Sequence, residues 1–376
     1  MRSIYKIAMV ANSSWNLAHF RAPLIQHFLA QDKEVWAIAP MDESSQRLKA
    51  WGVRCLPLQM QAKGVNPWQD GHTLWQLYTY YRKHRFDVAL HFTVKPNLYG
   101  SVAARWAGVR SVCNVSGLGT VFLHNTPATR IARWMYRLML PAADWVFFQN
   151  QEDRQLFLQR RLVQAERSGL VPGSGVDTDY FALTPLPTAR PFTFLLIARA
   201  LYDKGIVEFV EALRLLRQKY ALEVRGVLLG KIAEQPTKVD IPRKQVDAWV
   251  KAGDIEYAGV VEDVRPLIAA ADCVVLPSYR EGSSRALLEA AAMGRPLIAT
   301  DVPGCNNIVL EGVNGFLCKP ADSSSLAMSM KRMMDLSVEQ RKAMGIAARQ
   351  RVETLFDTRL VIEAYERVLQ YLNTLQ

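Results

Sequence analysis

The sequence predicts an α/β protein built from two Rossmann-like, doubly wound parallel-sheet domains that face a cleft. Three observations predict it. Short apolar runs alternate with longer amphipathic stretches through the first half, the pattern of βαβ units on a parallel sheet. Around VPGSGVDTDYFALTPLPTARP, residues 171–191, that rhythm breaks into Gly, Pro, Thr and Asp, which reads as a linker. After the break the strand and helix alternation restarts.

Taken in order, YKIAMVA, EVWAIAP, FDVALHF, SVCNVS and DWVFFQ read as strands of the first domain. FRAPLIQHFLAQ, HTLWQLYTYYRKH and YGSVAARWA read as helices between them. In the second domain FTFLLIARA, EVRGVLLG, IEYAGV, CVVLPS and PLIAT are strands, each followed by a helical segment. The chain closes with two helical stretches, and no strand follows the last. The expected boundaries are 1–172, 173–357 and a closing helix, 358–376, that packs back on the first domain. Ligands of such sheets bind outside the carboxyl ends of the strands.

A chain of 376 residues is long enough for two or three units, each with its own core. No apolar run approaches the ~20 residues that span a bilayer. The opening MRSIYKIAMVANSSW is basic at its start, but its uninterrupted apolar run, Ile7 to Ala11, is too short for a signal peptide and reads as the first strand. Cys55, Cys113, Cys273, Cys305 and Cys318 are scattered and lack C-x-x-C spacing, so buried thiols in a reducing cytosol are expected. In that compartment the two Asn-x-Ser triplets carry no meaning. Residues 1–185 hold 21 Lys/Arg against 12 Asp/Glu, a balance of +9, out of +11 for the whole chain. That half meets something anionic or merely keeps the chain soluble.

LLIARALYDKG carries the first chemistry. A strand ends at Arg199, and Lys204-Gly205 opens the helix that begins at Ile206. Two cations beside a helix N-terminus make a site for a diphosphate, because unpaired amides and the helix dipole already favour negative charge there. The alternative is a pair of solvated side chains. No G-x-x-x-x-G-K-[ST] or G-x-G-x-x-G loop is present.

PSYREGSSRALLEAAAMGRP carries the second. CVVLPS is a strand, YREGSS a turn, and RALLEAAAMG a helix capped by Ser283 or Ser284. Glu281 then sits in the loop, and Glu289 about 7 Å along the helix at ~1.5 Å per residue. Carboxylates so spaced can accept hydroxyl bonds from both ends of a nucleotide-sugar. A lone E-x₇-E would be weak; the strand, Gly/Ser turn and small-residue helix around it give it weight.

Glu281 with Glu289, Arg199 with Lys204-Gly205, GSGVDTDYF and PGCNNIVLEGVNGFLCKP together resemble the retaining family-4 glycosyltransferases of GT-B fold. IARALYDKGIVEF, LPSYREG and HFTVKPNLYGSVAARWAG resemble, more narrowly, bacterial enzymes that extend undecaprenyl-diphosphate-linked sugars, among them N-acetylgalactosaminyltransferases. The resemblance implies an acceptor-binding first domain and a nucleotide-sugar-binding second domain. It places Arg199 and Lys204 on the donor diphosphate, Glu281 on the donor sugar and Glu289 on the ribose. Gly205, with the amides of Ser284, Arg285 and Ala286, would meet the phosphates, and Gly259-Val260 the base. Asn16, Arg21, Lys95, Ser116 and Gly117 would serve the acceptor.

Two departures stand out. Many members carry a glycine pair after the first strand, where this chain has Asn12-Ser13-Ser14-Trp15-Asn16. Many also carry a histidine at the end of the strand that reads SVCNVS here, where Ser116 stands ahead of Gly117-Leu118-Gly119. His91, ending DVALHF, becomes the titratable group for proton transfer; the competing reading is a histidine satisfied by hydrogen bonds at a strand end. Lys95, in the following turn, would bind an acceptor phosphate or lie in water.

Asp177-Thr178-Asp179 looks like a D-x-D metal motif but sits at the linker, and no metal or other cofactor is expected. In TRIARWMYRLMLP, residues 129–141, Arg130, Arg133 and Arg137 share a helix face. The stretch either lies on an anionic bilayer surface or packs its apolar side into the sheet. The reading is transfer of a hexose, such as an N-acetylhexosamine, with retention, from a UDP-sugar to a lipid-linked saccharide at the cytoplasmic membrane face. A UDP-sugar epimerase of the same fold is one rival. The other is a non-catalytic binder of an anionic polymer, but the aromatics are not interleaved with Lys/Arg as a nucleic-acid binder requires, so no nucleic-acid partner is expected.

Overall fold

A computed structural model describes residues 4–61, 66–117, 127–188 and 191–374. The chain divides into two compact units, 1–174 with 358–376, and 175–357.

In the first unit the strands are β1 (Lys6–Val10), β2 (Glu34–Ala39), β3 (Arg54–Pro57), β4 (Val88–Phe92), β5 (Arg110–Val115), β6 (Trp145–Phe148) and β7 (Ser168–Leu170). They pair in parallel in the order β3-β2-β1-β4-β5-β6-β7. Helices α1 (Ser14–Phe20), α2 (Ala22–Ala30), α3 (Ser44–Ala50), α4 (Pro67–His84), α5 (Ser101–Ala107), α6 (Pro127–Met139) and α7 (Gln151–Gln159) connect them. In the second unit β8 (Phe192–Ile197), β9 (Val224–Leu229), β10 (Glu256–Gly259), β11 (Cys273–Leu276), β12 (Leu297–Thr300) and β13 (Gly315–Cys318) run in the order β10-β9-β8-β11-β12-β13. Its helices are α8 (Ile206–Tyr220), α9 (Arg243–Lys251), α10 (Arg265–Ala269), α11 (Arg285–Ala292), α12 (Ser323–Asp335) and α13 (Val338–Leu355). The strand order reverses beside β1 and again beside β8, so each sheet has a switch point where connections diverge and a crevice opens.

The strands read as nearly continuous apolar runs because helices cover both faces of a parallel sheet. One acidic device recurs at their starts. Asp87, just before β4, accepts the amides of Tyr5 and Lys6 at 3.0 and 2.8 Å. Asp144, before β6, accepts Ser111 N at 2.7 Å, and Asp272, before β11, accepts Thr193 N at 2.9 Å. Each carboxylate ties its strand to the first residues of the neighbour and so fixes register where a one-residue slip would turn every side chain over. β3, β7 and β13 were not legible as strands, since RCLP, SGL and GFLC are short and carry little apolar run.

The closing helix, α14 (Thr358–Thr374), belongs to the first unit's core. Val361, Tyr365, Val368, Leu369 and Leu372 are buried with Ile7 and Met9 of β1 and Leu24 and Phe28 of α2. Glu366 accepts from His27 at 3.0 Å and from Lys33 at 3.3 Å, which fastens α14 to the α2 region.

In the second unit Arg295 is wholly buried yet has no carboxylate in hydrogen-bonding contact among the described residues. Its guanidinium donates to the carbonyls of Thr184, Pro185, Ala269, Ala271 and Met293. Burial pulls its pKa down to about 10, opposed by Asp272. Arg349 does similar work on Thr178, Phe181 and Ala292, so two arginines hold the Gly/Pro-rich segment onto the unit. Arg295→Met should lower stability by about 3 kcal/mol, because it strands several buried carbonyls; a urea midpoint within error of wild type would contradict this account.

Candidate functional site

The second unit gathers polar groups at the carboxyl ends of β8, β9 and β11. β8 ends at Ile197 and is followed by Ala198-Arg199, and one 3₁₀ turn, Tyr202–Lys204, leads to Gly205 at the start of α8. Gly205 holds φ +70°, and a Cβ added there would lie 2.1 Å from the Pro277 carbonyl oxygen. Only glycine lets the start of α8 touch the end of β11 so closely. Gly230, after β9, is equally close to the Ala198 carbonyl, 1.9 Å from an added Cβ, and donates its amide to Gly259 at 2.8 Å.

The loop after β11 is fixed from several sides. Tyr279 N donates to Asp203 O at 2.8 Å, and Tyr279 Oη donates to Glu208 Oε1 at 2.6 Å. Burial and Glu208 both push the Tyr279 phenol above its ordinary range. Glu281 N donates to Pro303 O at 3.1 Å and Ser284 N to Gly304 O at 3.3 Å. Ser284 caps α11, accepting Leu287 N at 3.3 Å, and Ser283 Oγ is buried with no hydrogen-bond partner among the described residues.

Within this frame Lys204 Nζ lies 2.5 Å from Glu281 Oε1, two residues 77 positions apart in sequence. Arg199 is exposed and forms no ion pair among the described residues. Glu289, the fifth residue of α11, is 8% exposed and accepts from Arg285 Nε at 2.5 Å. Burial raises its pKa and Arg285 opposes the rise. Gly259 adopts φ +75° in open space, and Val260 is 69% exposed. Ser284, Arg285 and Ala286 begin α11; the Ser284 amide serves Gly304, so the start of the helix points to Arg285 and Ala286. The arrangement offers a cation, a carboxylate and a helix N-terminus within one set of loops, which suits a sugar diphosphate.

The sequence reading passed over Tyr279, Gly230 and Gly304. The available signal was a glycine closing an apolar run, as in VLLG and DVPG. Which strand end each glycine touches is not a local property.

In the first unit the residues expected to serve an acceptor follow β1, β4 and β5. Asn16 lies on α1 with a buried Oδ1 that has no hydrogen-bond partner among the described residues, as has Oδ1 of Asn12. Arg21 is 5% exposed, its guanidinium 4.4 Å from the Phe92 ring centroid. Thr93 holds φ +75°, costly for a β-branched residue, at the sharp turn after β4. Ser116 is exposed and Gly117 has φ +120°; Leu118 and Gly119 lie outside the described residues. Lys95 neither lies in water nor stands open to a phosphate: Nζ is 2.7 Å from Asp70 Oδ1, with 14% and 6% of the two side chains exposed.

His91 occupies the place of the competing reading. The ring has no exposed surface; Tyr81 Oη lies 2.8 Å from Nε2 and Cys113 Sγ 3.9 Å from Nδ1. Gly100 packs so closely that an added Cβ would sit 2.3 Å from the ring. Proton transfer to a substrate requires reach, which an enclosed ring lacks. Beside it Asn97 Nδ2 donates to Asn114 O at 2.8 Å, while Asn114 donates to Tyr365 Oη at 2.9 Å and accepts from Gln149 at 3.2 Å.

On α6, Tyr136 is buried while Ile131, Trp134 and Leu138 are 48%, 62% and 57% exposed, alongside exposed Arg130 and Arg137. Arg133 Nε donates to Thr129 O at 3.2 Å. Asp177 Oδ1 accepts the amides of Asp179 and Tyr180, and Thr178 donates to Asp357, so the D-x-D triplet caps a turn. Among the described residues no helix is long and apolar enough to cross a membrane. Four of the five cysteines are buried free thiols and Cys55 is half-buried.

Comparison with known proteins gives a consistent picture. Residues 20–173 match the glycosyl transferase 4-like domain, and residues 191–335 match glycosyl transferases group 1. The chain is 23% identical to N,N'-diacetylbacillosaminyl-diphospho-undecaprenol alpha-1,3-N-acetylgalactosaminyltransferase of Campylobacter jejuni, covering 97% of this chain and 99% of that one. It is 24% identical to UDP-Gal:alpha-D-GlcNAc-diphosphoundecaprenol alpha-1,3-galactosyltransferase of Escherichia coli, over 75% of each. Among solved structures, an Anabaena protein in complex with UDP-glucose superposes with a TM-score of 0.77 at 18% identity, covering 97% of this chain and 99% of that one.

Burial lowers the His91 pKa from 6.5 to about 3. The unfolded chain therefore binds one more proton than the folded chain between those values, and stability rises with pH across that window. The contribution is whole above about 6.5 and is lost as pH falls toward 3. His91→Gln should flatten the pH dependence of the unfolding free energy in this window by close to one proton; an unchanged slope would place the proton linkage elsewhere.

Proposed function

The chain belongs to the family-4, group 1 glycosyltransferases of GT-B fold, and from that premise we propose that it moves a hexose from a UDP-sugar to an undecaprenyl-diphosphate-linked saccharide in glycan or surface-polysaccharide assembly. An N-acetylhexosamine such as GalNAc is the donor sugar we favour, with retention of anomeric configuration. The observation that carries this reading is the Lys204–Glu281 pair, mounted at the strand ends beside the starts of α8 and α11. Similarity along nearly the whole chain to a relative whose substrate is a diphospho-undecaprenol saccharide supports the acceptor class.

In this reading the donor lies on the second unit. Lys204 and Arg199 face the diphosphate, Glu281 takes a hexose hydroxyl, Glu289 the ribose, and Gly259-Val260 the base. As the C1–O bond of the donor loosens, negative charge builds on the leaving diphosphate, and fixed cations stabilise that charge more than they stabilise the ground state. Arg21, with Asn16, Ser116 and Gly117, serves the acceptor on the first unit. Lys95 is committed to its ion pair with Asp70, and His91 shapes the strand end without moving a proton.

The exposed Ile131, Trp134 and Leu138, flanked by Arg130 and Arg137, support seating of α6 in the headgroup zone of an anionic bilayer at the cytoplasmic face. A lipid-linked acceptor requires such proximity.

Purified protein should transfer labelled sugar from a UDP-hexose to a polyprenyl-diphosphate-linked acceptor and leave the UDP-sugar unisomerised when the acceptor is omitted. Lys204→Ala should reduce turnover about 10²–10³-fold with an unchanged circular dichroism spectrum; near-normal rates would refute the donor assignment. Replacing Ile131, Trp134 and Leu138 together by serine should abolish flotation with phosphatidylglycerol-containing vesicles and spare transfer to a short-chain acceptor in detergent. Undiminished flotation would remove α6 from the membrane contact.

A further inference from the structure

Lys204 and Glu281 already satisfy one another at 2.5 Å, with only 17% and 16% of their side chains exposed. Neither backbone has room to retreat. Gly205, next to Lys204, abuts the Pro277 carbonyl, and the Glu281 carbonyl lies 2.4 Å from where a Cβ on Gly304 would be. An anion that reaches Lys204 therefore arrives beside a carboxylate that neutralises it.

We infer that Glu281 discriminates between nucleotide forms: its charge, held beside Lys204, weakens a free nucleoside diphosphate relative to a nucleoside diphosphate sugar and so speeds departure of the product. This rests on the donor-site reading above. A sugar diphosphate brings hydroxyls that donate to the carboxylate. Once the sugar has left, those donors are gone and the terminal phosphate, now a monoester, carries up to about one more negative charge near neutral pH. The carboxylate that held the substrate faces the product as a like charge in a partly desolvated setting, where such repulsion is only weakly screened.

The test is calorimetric titration of the full chain and of Glu281→Gln with UDP and with the UDP-hexose that the wild type uses. Glu281→Gln should bind UDP about tenfold more tightly, equivalent to ~1.4 kcal/mol, and the UDP-hexose no more tightly than wild type. Product inhibition by UDP should deepen to match. A variant that merely disturbs the loop would weaken both ligands, and that result, like an unchanged UDP affinity or an equal gain for both ligands, overturns the inference. Should Glu281→Gln unfold, Glu281→Ala carries the same expectation. If the wild type binds neither UDP nor any UDP-sugar, the donor-site reading falls with it; if the wild type binds UDP and the variant binds it no better, only the discrimination falls.

Discussion

Backbone touching backbone at the strand ends of the second unit is the constraint on which its site depends. Gly205 meets the Pro277 carbonyl and Gly304 meets the backbone of Glu281, each at a distance that a methyl group would forbid and each with φ in the left-handed region. Because these contacts involve main chain, the charged residues next to them inherit fixed positions. Lys204 precedes one glycine and Glu281 lies over the other, so an ion pair forms between residues from the β8 and β11 loops. Preorganisation of this kind lets a cation stabilise developing charge without reorganising at the moment of reaction.

The first unit repeats the winding with different chemistry. Its switch point also lies between a central strand and its neighbour across the reversal, β1 and β4. There the interior is held by neutral amides and rings: Asn97, Asn114, Gln149 and Tyr365 connect to His91 and Tyr81 through Cys113, whose Sγ lies 3.4 Å from Asn97 O and 3.9 Å from His91 Nδ1. Buried polar groups that are all satisfied rigidify a strand end. Arg21, one cation in that region, is spread over the Phe92 ring and largely withdrawn from solvent.

Much of this was legible in the residues. Runs such as FTFLLI and CVVL declare buried parallel strands by composition, and the Ser283-Ser284 pair declares a helix start, of which the structure makes Ser284 the cap. The three carboxylates at Asp87, Asp144 and Asp272 also stand visibly before apolar strands. His91 misled for an instructive reason: a histidine ending an apolar strand reads the same whether its ring points toward a crevice or into the packing under Gly100. Lys95 misled likewise, since Asp70, its partner, is 25 residues away on α4. α6 buries Tyr136, as packing into the domain requires, and leaves Trp134 exposed.

The amino-acid order alone determined the two-domain α/β plan, the break between the domains, and the residue types able to hold a sugar diphosphate, because periodicity, punctuation and charge are local properties of a chain. Only the tertiary structure decided which of those residues meet across the fold: Lys204 with Glu281, Lys95 with Asp70, and His91 with Tyr81. Ion pairs and burial depend on distances through space, and the strand crossovers that set those distances are not written in any short stretch of sequence.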